Sequence, residues 1–134
     1  MAKRRPKPST DKAVCDELFR RIVRSRGICQ RCHETGWARA FQTAHVVRRR
    51  FSAVRCVEDN AWCLCPPCHN TVDSRQDQFM DLVDSTIGRD RYVELSLLAQ
   101  AGPPVSYALW WRGERERLTE RCKELGIDTR TRAA

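Results

Sequence analysis

Residues 43–70 read TAHVVRRRFSAVRCVEDNAWCLCPPCHN and contain a C-x-x-C pair close to their end. A second pair, with the sequence CQRC, lies upstream at residues 29–32. Two such pairs can surround one tetrahedral Zn²⁺ ion, because each pair supplies two thiolates. We therefore predict a structural zinc site whose ligands are Cys29, Cys32, Cys65 and Cys68.

The other cysteines have no partner at this spacing. We expect them to be small buried hydrophobic side chains: Cys15, Cys56, Cys63 and Cys122. Two alternative ligands stay open. Cys63 could replace Cys65 in register. His33 follows the first pair directly and could also bind the ion.

The segment between the two cysteine pairs, residues 33–64, is longer than the roughly 15–20 residues that separate the pairs of a short zinc module. A zinc ion at its base would tie this long excursion together and add stability that a small core lacks. We therefore expect the excursion to carry the functional surface.

The composition indicates one domain and a polyanionic partner. The chain has 134 residues, close to the roughly 100–150 residues of a single domain. Its 25 basic residues outnumber its 17 acidic residues, and the basic excess lies in residues 1–60. Most of the basic residues are arginines, which bind phosphate through two parallel hydrogen bonds. DNA is the expected partner, unless the arginines reflect genomic base composition and the charge only aids solubility.

The sequence contains no sign of a membrane span or of a secretory signal. No apolar run approaches the roughly 20 residues that a membrane helix needs. The basic opening, MAKRRPKPST, leads into no apolar signal segment. We therefore expect a cytoplasmic protein without membrane contacts, in which thiols are reduced and the cysteines bind metal.

Hydrophobic periodicity and helix breakers outline an α+β arrangement. The first helix has Val14, Leu18 and Ile22 on one face, with Arg20 and Arg24 largely on the other. The predicted elements are a basic flexible arm at 1–10, a helix at 11–26, a strand pair within 37–47, a basic loop at 48–60, and helices at 69–86, 89–100 and 105–125. The main domain would then cover 11–102, and a C-terminal helical segment would cover 103–134.

The last predicted helix has an apolar face with two adjacent tryptophans beside it, Trp110 and Trp111. The face consists of Val105, Leu109, Leu118, Cys122 and Leu125. Such a face either packs on the core or forms a homodimer interface, and core packing is the commoner arrangement.

Polar residues stand at three distinctive places between and just after the cysteine pairs. His45 ends the predicted strand, Asn60 closes the basic loop, and His69 opens the following helix. Because His69 and Asp73 are four residues apart, a helix would project both from one face, where they can share a cation. A histidine facing such a pair could take a proton from water while the cation neutralises charge on a phosphodiester transition state.

The order of these residues resembles the HNH (ββα-metal) endonuclease motif with its zinc knuckles. The matching positions are the pair at 29–32, Ala44-His45, Asn60 and Leu64-Cys65-Pro66-Pro67-Cys68-His69. Within that superfamily, residues 43–70 with their helical tail are most similar to phage recombination endonucleases of the NinG/Rap type, and the knuckle layout is similar to that of phage endonuclease VII. The resemblance covers about residues 12–95. It implies a small ββα-metal core with a four-cysteine zinc site, flanked by an N-terminal helix and two to three C-terminal helices.

Carried over to this chain, the resemblance implies a role for each matching residue. His45 is the general base, and Asn60 holds the loop and orients that histidine. His69 binds the catalytic divalent cation, Mg²⁺ or Mn²⁺, and Asp73 occupies a place where some relatives have a further metal ligand. The four cysteines of the two pairs hold the structural zinc.

One position departs from the HNH pattern. Many HNH enzymes have an aspartate or a histidine just before the base as a metal ligand, whereas this chain has Ala44. Two explanations stay open. Either His69 and Asp73 suffice together with water and a substrate phosphate, or His45 is itself a ligand and the base lies elsewhere.

The basic loop is expected to contact DNA phosphates through Arg48, Arg49, Arg50 and Arg55. The implied function is a metal-dependent endonuclease that hydrolyses phosphodiester bonds of duplex or branched DNA, in phage recombination or replication within the host cytoplasm. Two alternatives stay open: an HNH nicking or packaging-associated nuclease without junction preference, and a zinc-stabilised DNA-binding module whose HNH site is degenerate.

Overall fold

The computed structural model describes residues 10–131, which form five helices and a two-stranded sheet. The elements are α1 (Thr10–Arg24), β1 (Gln42–His45), β2 (Ala61–Leu64), α2 (Pro66–Ser74), α3 (Gln76–Ser85), α4 (Arg89–Ala101) and α5 (Tyr107–Glu124), with single 3₁₀ turns at Ala38–Ala40 and Glu58–Asn60. The predicted α+β class is confirmed. Apart from Thr10, the basic arm predicted at 1–10 lies outside the described residues.

The sheet joins segments that lie far apart in the sequence. β1 pairs with β2 in antiparallel register, with Gln42 opposite Leu64 and His45 opposite Ala61. The strand pair predicted within 37–47 was therefore wrong, because that segment holds a 3₁₀ turn and only one strand. All four residues of β2 are buried. A strand buried on both faces lacks the polar alternation that marks a strand in sequence.

Helix α1 packs along α5, and the two run in the same direction. The Asp11 carboxylate accepts a hydrogen bond from Arg115 near the start of the pair, and Arg21 donates to the Asp128 carbonyl at its end. The predicted apolar face of α1 is confirmed, because all its members are buried. Core packing of the C-terminal helix is confirmed too, since Trp111 is buried and its carbonyl accepts a bond from the Cys15 thiol.

The apolar face predicted for the last helix was wrong in part. Leu118 and Cys122 are buried as expected, and they are joined by Trp111 and by Glu114. The remaining members of the predicted face are exposed: Val105, Leu109 and Leu125. The face is rotated because α5 packs on α1 through Trp111, a ring large enough to outweigh the burial of Leu109.

The predicted helix at 69–86 is two helices. Arg75 has the extended dihedrals φ −131° and ψ 108°, and it separates α2 from α3. Just before the break, the Ser74 hydroxyl donates to the Asn70 carbonyl, and such local bonding often bends helices. The bend lets Phe79 place its edge against the indole of Trp62, with ring centroids 5.4 Å apart. Neither proline nor glycine marks this break in the sequence.

Helix α2 begins in the second cysteine pair. Pro66 and Pro67 occupy its first turn, where the missing N–H groups cost no helical hydrogen bond. The helix predicted at 89–100 is confirmed as α4, which covers a small second cluster of Val47, Val54, Leu95 and Ala99. Within residues 10–131, no helix combines the length and the apolar character that a membrane crossing requires.

Candidate metal centre and catalytic cleft

The two cysteine pairs meet at one point. The Sγ atoms of the four cysteines all lie within 4.8 Å of one another: Cys29, Cys32, Cys65 and Cys68. Bonds of about 2.3 Å to a tetrahedral zinc ion would place the sulfurs about 3.8 Å apart. The Sγ atoms of Cys32 and Cys65 are 3.8 Å apart. The predicted clustering of these four residues is confirmed, and the donor set fits a structural zinc ion.

Neighbouring donors favour the thiolate of Cys29, whereas burial raises the pKa of the Cys65 thiol to about 12. Burial raises the pKa of the Cys29 thiol, but hydrogen bonds from the backbone N–H groups of Cys32, Cys65 and Arg31 outweigh it and lower this pKa to about 6. The guanidinium of Arg31 also lies 3.4 Å from the sulfur of Cys68. Donors of this kind stabilise metal-bound sulfur and orient it.

Neither alternative zinc ligand belongs to the cluster. His33 is exposed and has φ 65°, and it follows the turn formed by residues 30–32. Cys63 is buried in β2, where its N–H and carbonyl both bond to Gln30. All four cysteines outside the cluster are buried, as predicted: Cys15, Cys56, Cys63 and Cys122.

His45 is the last residue of β1, and one of its two ring nitrogens forms a hydrogen bond within the protein. Its Nε2 lies 2.9 Å from the carbonyl oxygen of Arg55. Because a carbonyl only accepts, Nε2 carries the hydrogen and Nδ1 keeps a lone pair. Burial lowers the pKa of His45 below its ordinary 6.5, and the charge of Arg49 lowers it further, while the hydrogen bond to Arg55 acts in the opposite direction. A neutral imidazole with a lone pair on Nδ1 can accept a proton from water.

Asn60 is fully buried at the base of the basic loop. Its Oδ1 accepts a bond from the Val47 N–H at 2.8 Å. Its Nδ2 donates to the carbonyls of Val47 and Val54 at 3.1 and 2.9 Å. These bonds close the loop just after His45, so Asn60 holds the backbone on which His45 stands.

Replacing Asn60 by alanine is expected to lower the free energy of unfolding by about 3 kcal/mol, because three buried backbone groups lose their partner. Urea denaturation measures this difference. The control is Asn70→Ala on the exposed side of α2, expected to change stability by about 0.5 kcal/mol or less. Equal midpoints for both variants would contradict the role of Asn60.

The structure brings His69 and Asp73 together on α2. The His69 Nε2 lies 3.2 Å from the Asp73 Oδ2, and its Nδ1 lies 2.6 Å from the Gln42 Oε1 on β1. The contact with Gln42 holds the His69 ring against β1, with Nε2 facing the Asp73 carboxylate. Two adjacent ligands of an octahedral cation with bonds of about 2.1 Å are about 3.0 Å apart. This pair therefore has the spacing of two neighbouring ligands of one cation.

His45 borders two adjoining clefts. We call the first the arginine cleft: it measures about 390 Å³ and is lined by His45 and His69, together with Arg20, Arg24 and Arg49. We call the second the aromatic cleft: it measures about 460 Å³ and is lined by His45 and Asp73, with Arg48 and Arg50 at its rim. The pair His69 and Asp73 thus connects the two clefts beside the imidazole.

The geometry separates His45 from the cation ligands. Among residues 10–131, the four cysteines are the one group of three or more His, Cys, Asp or Glu side chains that lie close enough to bind a single ion. The ring nitrogens of His45 lie too far from His69 and Asp73 for the three side chains to form such a group in this arrangement.

Ala44 is buried within β1. Its side chain is 3% exposed and belongs to the main apolar core, and it lines neither cleft. The clefts are lined by the neighbours of Ala44 on β1, Thr43 and His45, and not by Ala44 itself.

The basic loop presents three of its four predicted arginines to solvent: Arg48, Arg49 and Arg50. Arg55 differs, since its guanidinium is buried and bonds to both carboxylate oxygens of Asp16 at 2.7 Å. Its third nitrogen donates to the Arg49 carbonyl. Arg55 therefore anchors the loop to α1, where Asp16 also lies 3.6 Å from the exposed guanidinium of Arg49.

Several cleft residues escaped the sequence analysis. Arg20 and Arg24 were placed on the solvated side of α1, but they line the arginine cleft. Thr43 lies in the same wall, and among the described residues its buried hydroxyl has no hydrogen-bond partner. Gln42 orients His69. No local pattern could have marked them, because their role depends on how α1 lies against β1.

Comparisons of the chain with protein-family models, with curated proteins and with solved structures find no match. The resemblance to the HNH motif therefore depends on the motif residues alone. The function has to be inferred from the geometry of the cleft.

Proposed function

We propose that this protein is a metal-dependent endonuclease of the HNH type that hydrolyses phosphodiester bonds in DNA. One observation carries the proposal: a neutral histidine with a free Nδ1 stands beside a histidine and carboxylate pair with the spacing of cation ligands, in a cleft lined by arginines. These are the parts that hydrolysis of a phosphodiester requires, namely a base, a cation site and phosphate contacts.

Each residue of the cleft has a separate role in the proposed hydrolysis. His45 Nδ1 takes a proton from a water molecule, whose oxygen attacks the phosphorus. The bond from phosphorus to the 3′ oxygen breaks and that oxygen takes a proton from a second water molecule, which leaves a 5′-phosphate and a 3′-hydroxyl. Arg49 and Arg20 contact the phosphates on either side.

His69 Nε2 and Asp73 Oδ2 would hold the catalytic divalent cation, for which we propose Mg²⁺ or Mn²⁺. Such a cation supplies positive charge to the transition state and to the leaving oxygen. The four-cysteine cluster has thiolates only and is the proposed site of a structural Zn²⁺ ion. The two proposed sites would select different ions. The carboxylate and imidazole ligands suit Mg²⁺ or Mn²⁺, and the thiolates suit Zn²⁺.

Duplex or branched DNA in phage recombination or replication is the substrate that the likeness to NinG/Rap endonucleases suggests, with the host cytoplasm as the setting. A homodimer would suit a branched substrate with two strands to cut. The packing of α5 on α1 buries Trp111 within one chain, so a dimer interface would have to use other residues.

The test is cleavage of a supercoiled plasmid and of a synthetic four-way junction in EDTA, Mg²⁺ or Mn²⁺. We expect cleavage only with a divalent cation, and a loss of about 100-fold or more in Asp73→Asn. Asp81→Asn is the matched control, since Asp81 is an exposed aspartate on α3 that lines neither cleft. Cleavage that persists in EDTA, or an equal loss in both variants, would overturn the cation site.

A zinc-stabilised DNA-binding module is the second candidate function. The observation in its favour is Ala44, whose core-facing methyl group stands where many HNH enzymes have a ligand. DNA binding with no cleavage in any divalent metal would favour this module. Equal cleavage of plasmid and junction would instead favour a nicking or packaging-associated nuclease.

Removing two exposed loop arginines, as Arg48→Ala with Arg49→Ala, is expected to weaken DNA binding at all sequences and to make its salt dependence shallower. Each lost phosphate contact reduces the slope of log K against log salt by about 0.9. Fluorescence anisotropy at several salt concentrations measures the slope. Arg89→Ala with Arg112→Ala removes the same charge from α4 and α5, outside both clefts, so a similar change in slope would show a general charge effect.

A further inference from the structure

The aromatic cleft has features that cleavage of the phosphate backbone does not require. It lies between the basic loop and helices α2, α3 and α4, and its floor includes the apolar side chains of Val47, Val72 and Ala99. Its volume of about 460 Å³ is within the range of pockets that hold small organic groups, roughly 300–1,000 Å³. An apolar surface offers no favourable contact to a charged backbone phosphate.

Three aromatic rings line this cleft: Phe51, Phe79 and Tyr92. Each is only partly buried, and the Phe79 and Tyr92 rings meet edge to face with centroids 6.0 Å apart. At the rim, the guanidinium of Arg50 lies over the Phe51 ring at 4.8 Å from its centroid. Aromatic rings and guanidinium planes are the surfaces on which proteins stack single nucleobases.

The cleft also offers polar groups suited to the edge of a base. Gln76 and Gln100 line it, and neither side-chain amide has a hydrogen-bond partner among the described residues. A side-chain amide presents a donor and an acceptor side by side, which matches the edge of a nucleobase.

We propose that the aromatic cleft binds one unstacked nucleobase next to the phosphate that is cut, so that the preferred substrate is DNA with an unpaired nucleotide at the cleavage site. This inference rests on the proposed function, because His45 and Asp73 form the wall that the cleft shares with the reacting phosphate. A base within a stacked duplex cannot enter. Extrusion costs least where a nucleotide is already unpaired, as at a bulge, a mismatch or a branch.

The experiment uses one DNA duplex in three forms: fully paired, with a single unpaired nucleotide, and with an abasic site at that same unpaired position. Cleavage is measured in Mg²⁺ and binding in EDTA. We expect the wild-type protein to prefer the unpaired base over the abasic form about tenfold in both measurements. The abasic form has the same flexible backbone, so this ratio reports contacts to the base itself.

Two variants test the assignment to this cleft. In Phe51→Leu and in Gln76→Ala with Gln100→Ala, the ratio of unpaired to abasic DNA is expected to fall toward one. Leu97→Ala is the control, since Leu97 is exposed on α4 and does not line the cleft, and it should retain the wild-type ratio. Because each ratio compares two substrates of one protein, partial unfolding does not change it.

The outcomes separate the two proposals. A wild-type ratio near one, or a ratio unchanged in both cleft variants, would overturn the base pocket even if every DNA form is cut. No cleavage of any form would overturn the endonuclease proposal, while the binding ratio in EDTA would still decide whether the cleft reads a base.

Discussion

Replacing His45 by glutamine is expected to lower the rate of DNA cleavage by about 10³-fold, within the 10²- to 10⁴-fold range for the loss of a general base. Glutamine keeps an N–H that can donate to the Arg55 carbonyl, as the His45 Nε2 does at 2.9 Å. It has no group that takes a proton from water. The substitution therefore removes the base and preserves the loop contact, and His45→Ala removes both.

The pH profile of the wild-type protein tests the same role independently. Burial holds the pKa of His45 below 6.5, so the base is neutral at pH 7 and becomes protonated only in more acidic solution. The rate should rise with pH, reach half its maximum below pH 6.5 and then level off. The same shift makes neutral His45 favour folding above pH 6.5, and this contribution is lost as the pH falls through its folded-state pKa. A midpoint above pH 6.5 would be inconsistent with a buried neutral base.

The control for His45 is His33→Asn. His33 is exposed and has a positive φ of 65°, a conformation that asparagine adopts more readily than most residues. This variant should cleave DNA within about twofold of the wild-type rate. DNA affinity should stay within about threefold in His45→Gln, because the exposed arginines are unchanged. If His45→Gln cut DNA within tenfold of the wild-type rate, the base would have to lie elsewhere.

Replacing Cys29 by serine is expected to abolish zinc binding and to unfold much of the chain. Structural zinc contributes about 10–16 kcal/mol in small zinc domains, which is as large as the roughly 5–15 kcal/mol total stability of a typical domain. The cluster joins the turn at residues 30–32 to the start of α2, so its loss releases both ends of the excursion that carries His45. Serine is too poor a ligand to replace a thiolate.

Metal content by mass spectrometry and a thermal melt with and without a chelator measure this effect. The matched control is Cys63→Ser, a buried cysteine on β2 outside the cluster. It should retain one zinc per chain and lose only about 1–2 kcal/mol, the cost of burying a hydroxyl. A zinc-free Cys29→Ser protein with the wild-type melting temperature would refute the structural zinc.

Much of the helical framework could be predicted from local pattern. The apolar period of α1 and the breakers around α4 are properties of neighbouring residues, and both helices are present near the predicted bounds. The break at Arg75 could not be predicted, because it serves the contact between Phe79 and Trp62, which are far apart in sequence. The pairing of β1 with β2 was missed for the same reason.

In the candidate site, too, some features could be predicted from the sequence and others could not. The spacing of the cysteines and the separation of His69 from Asp73 by one helical turn are sequence properties, and they predicted which side chains come together. Arg55 looked like its exposed neighbours in the basic loop, yet it is buried against Asp16. The sequence of a basic loop does not show which of its arginines forms an ion pair with a residue of another helix or strand.

By itself, the sequence determined which four cysteines come together, much of the helical framework and the order of the polar residues, because each depends on spacing along the chain. Only the tertiary structure decided the tautomer of His45, the core position of Ala44 and the two clefts beside the imidazole. These depend on how α1, the basic loop and α4 pack around the sheet. Such contacts join residues that no local periodicity relates.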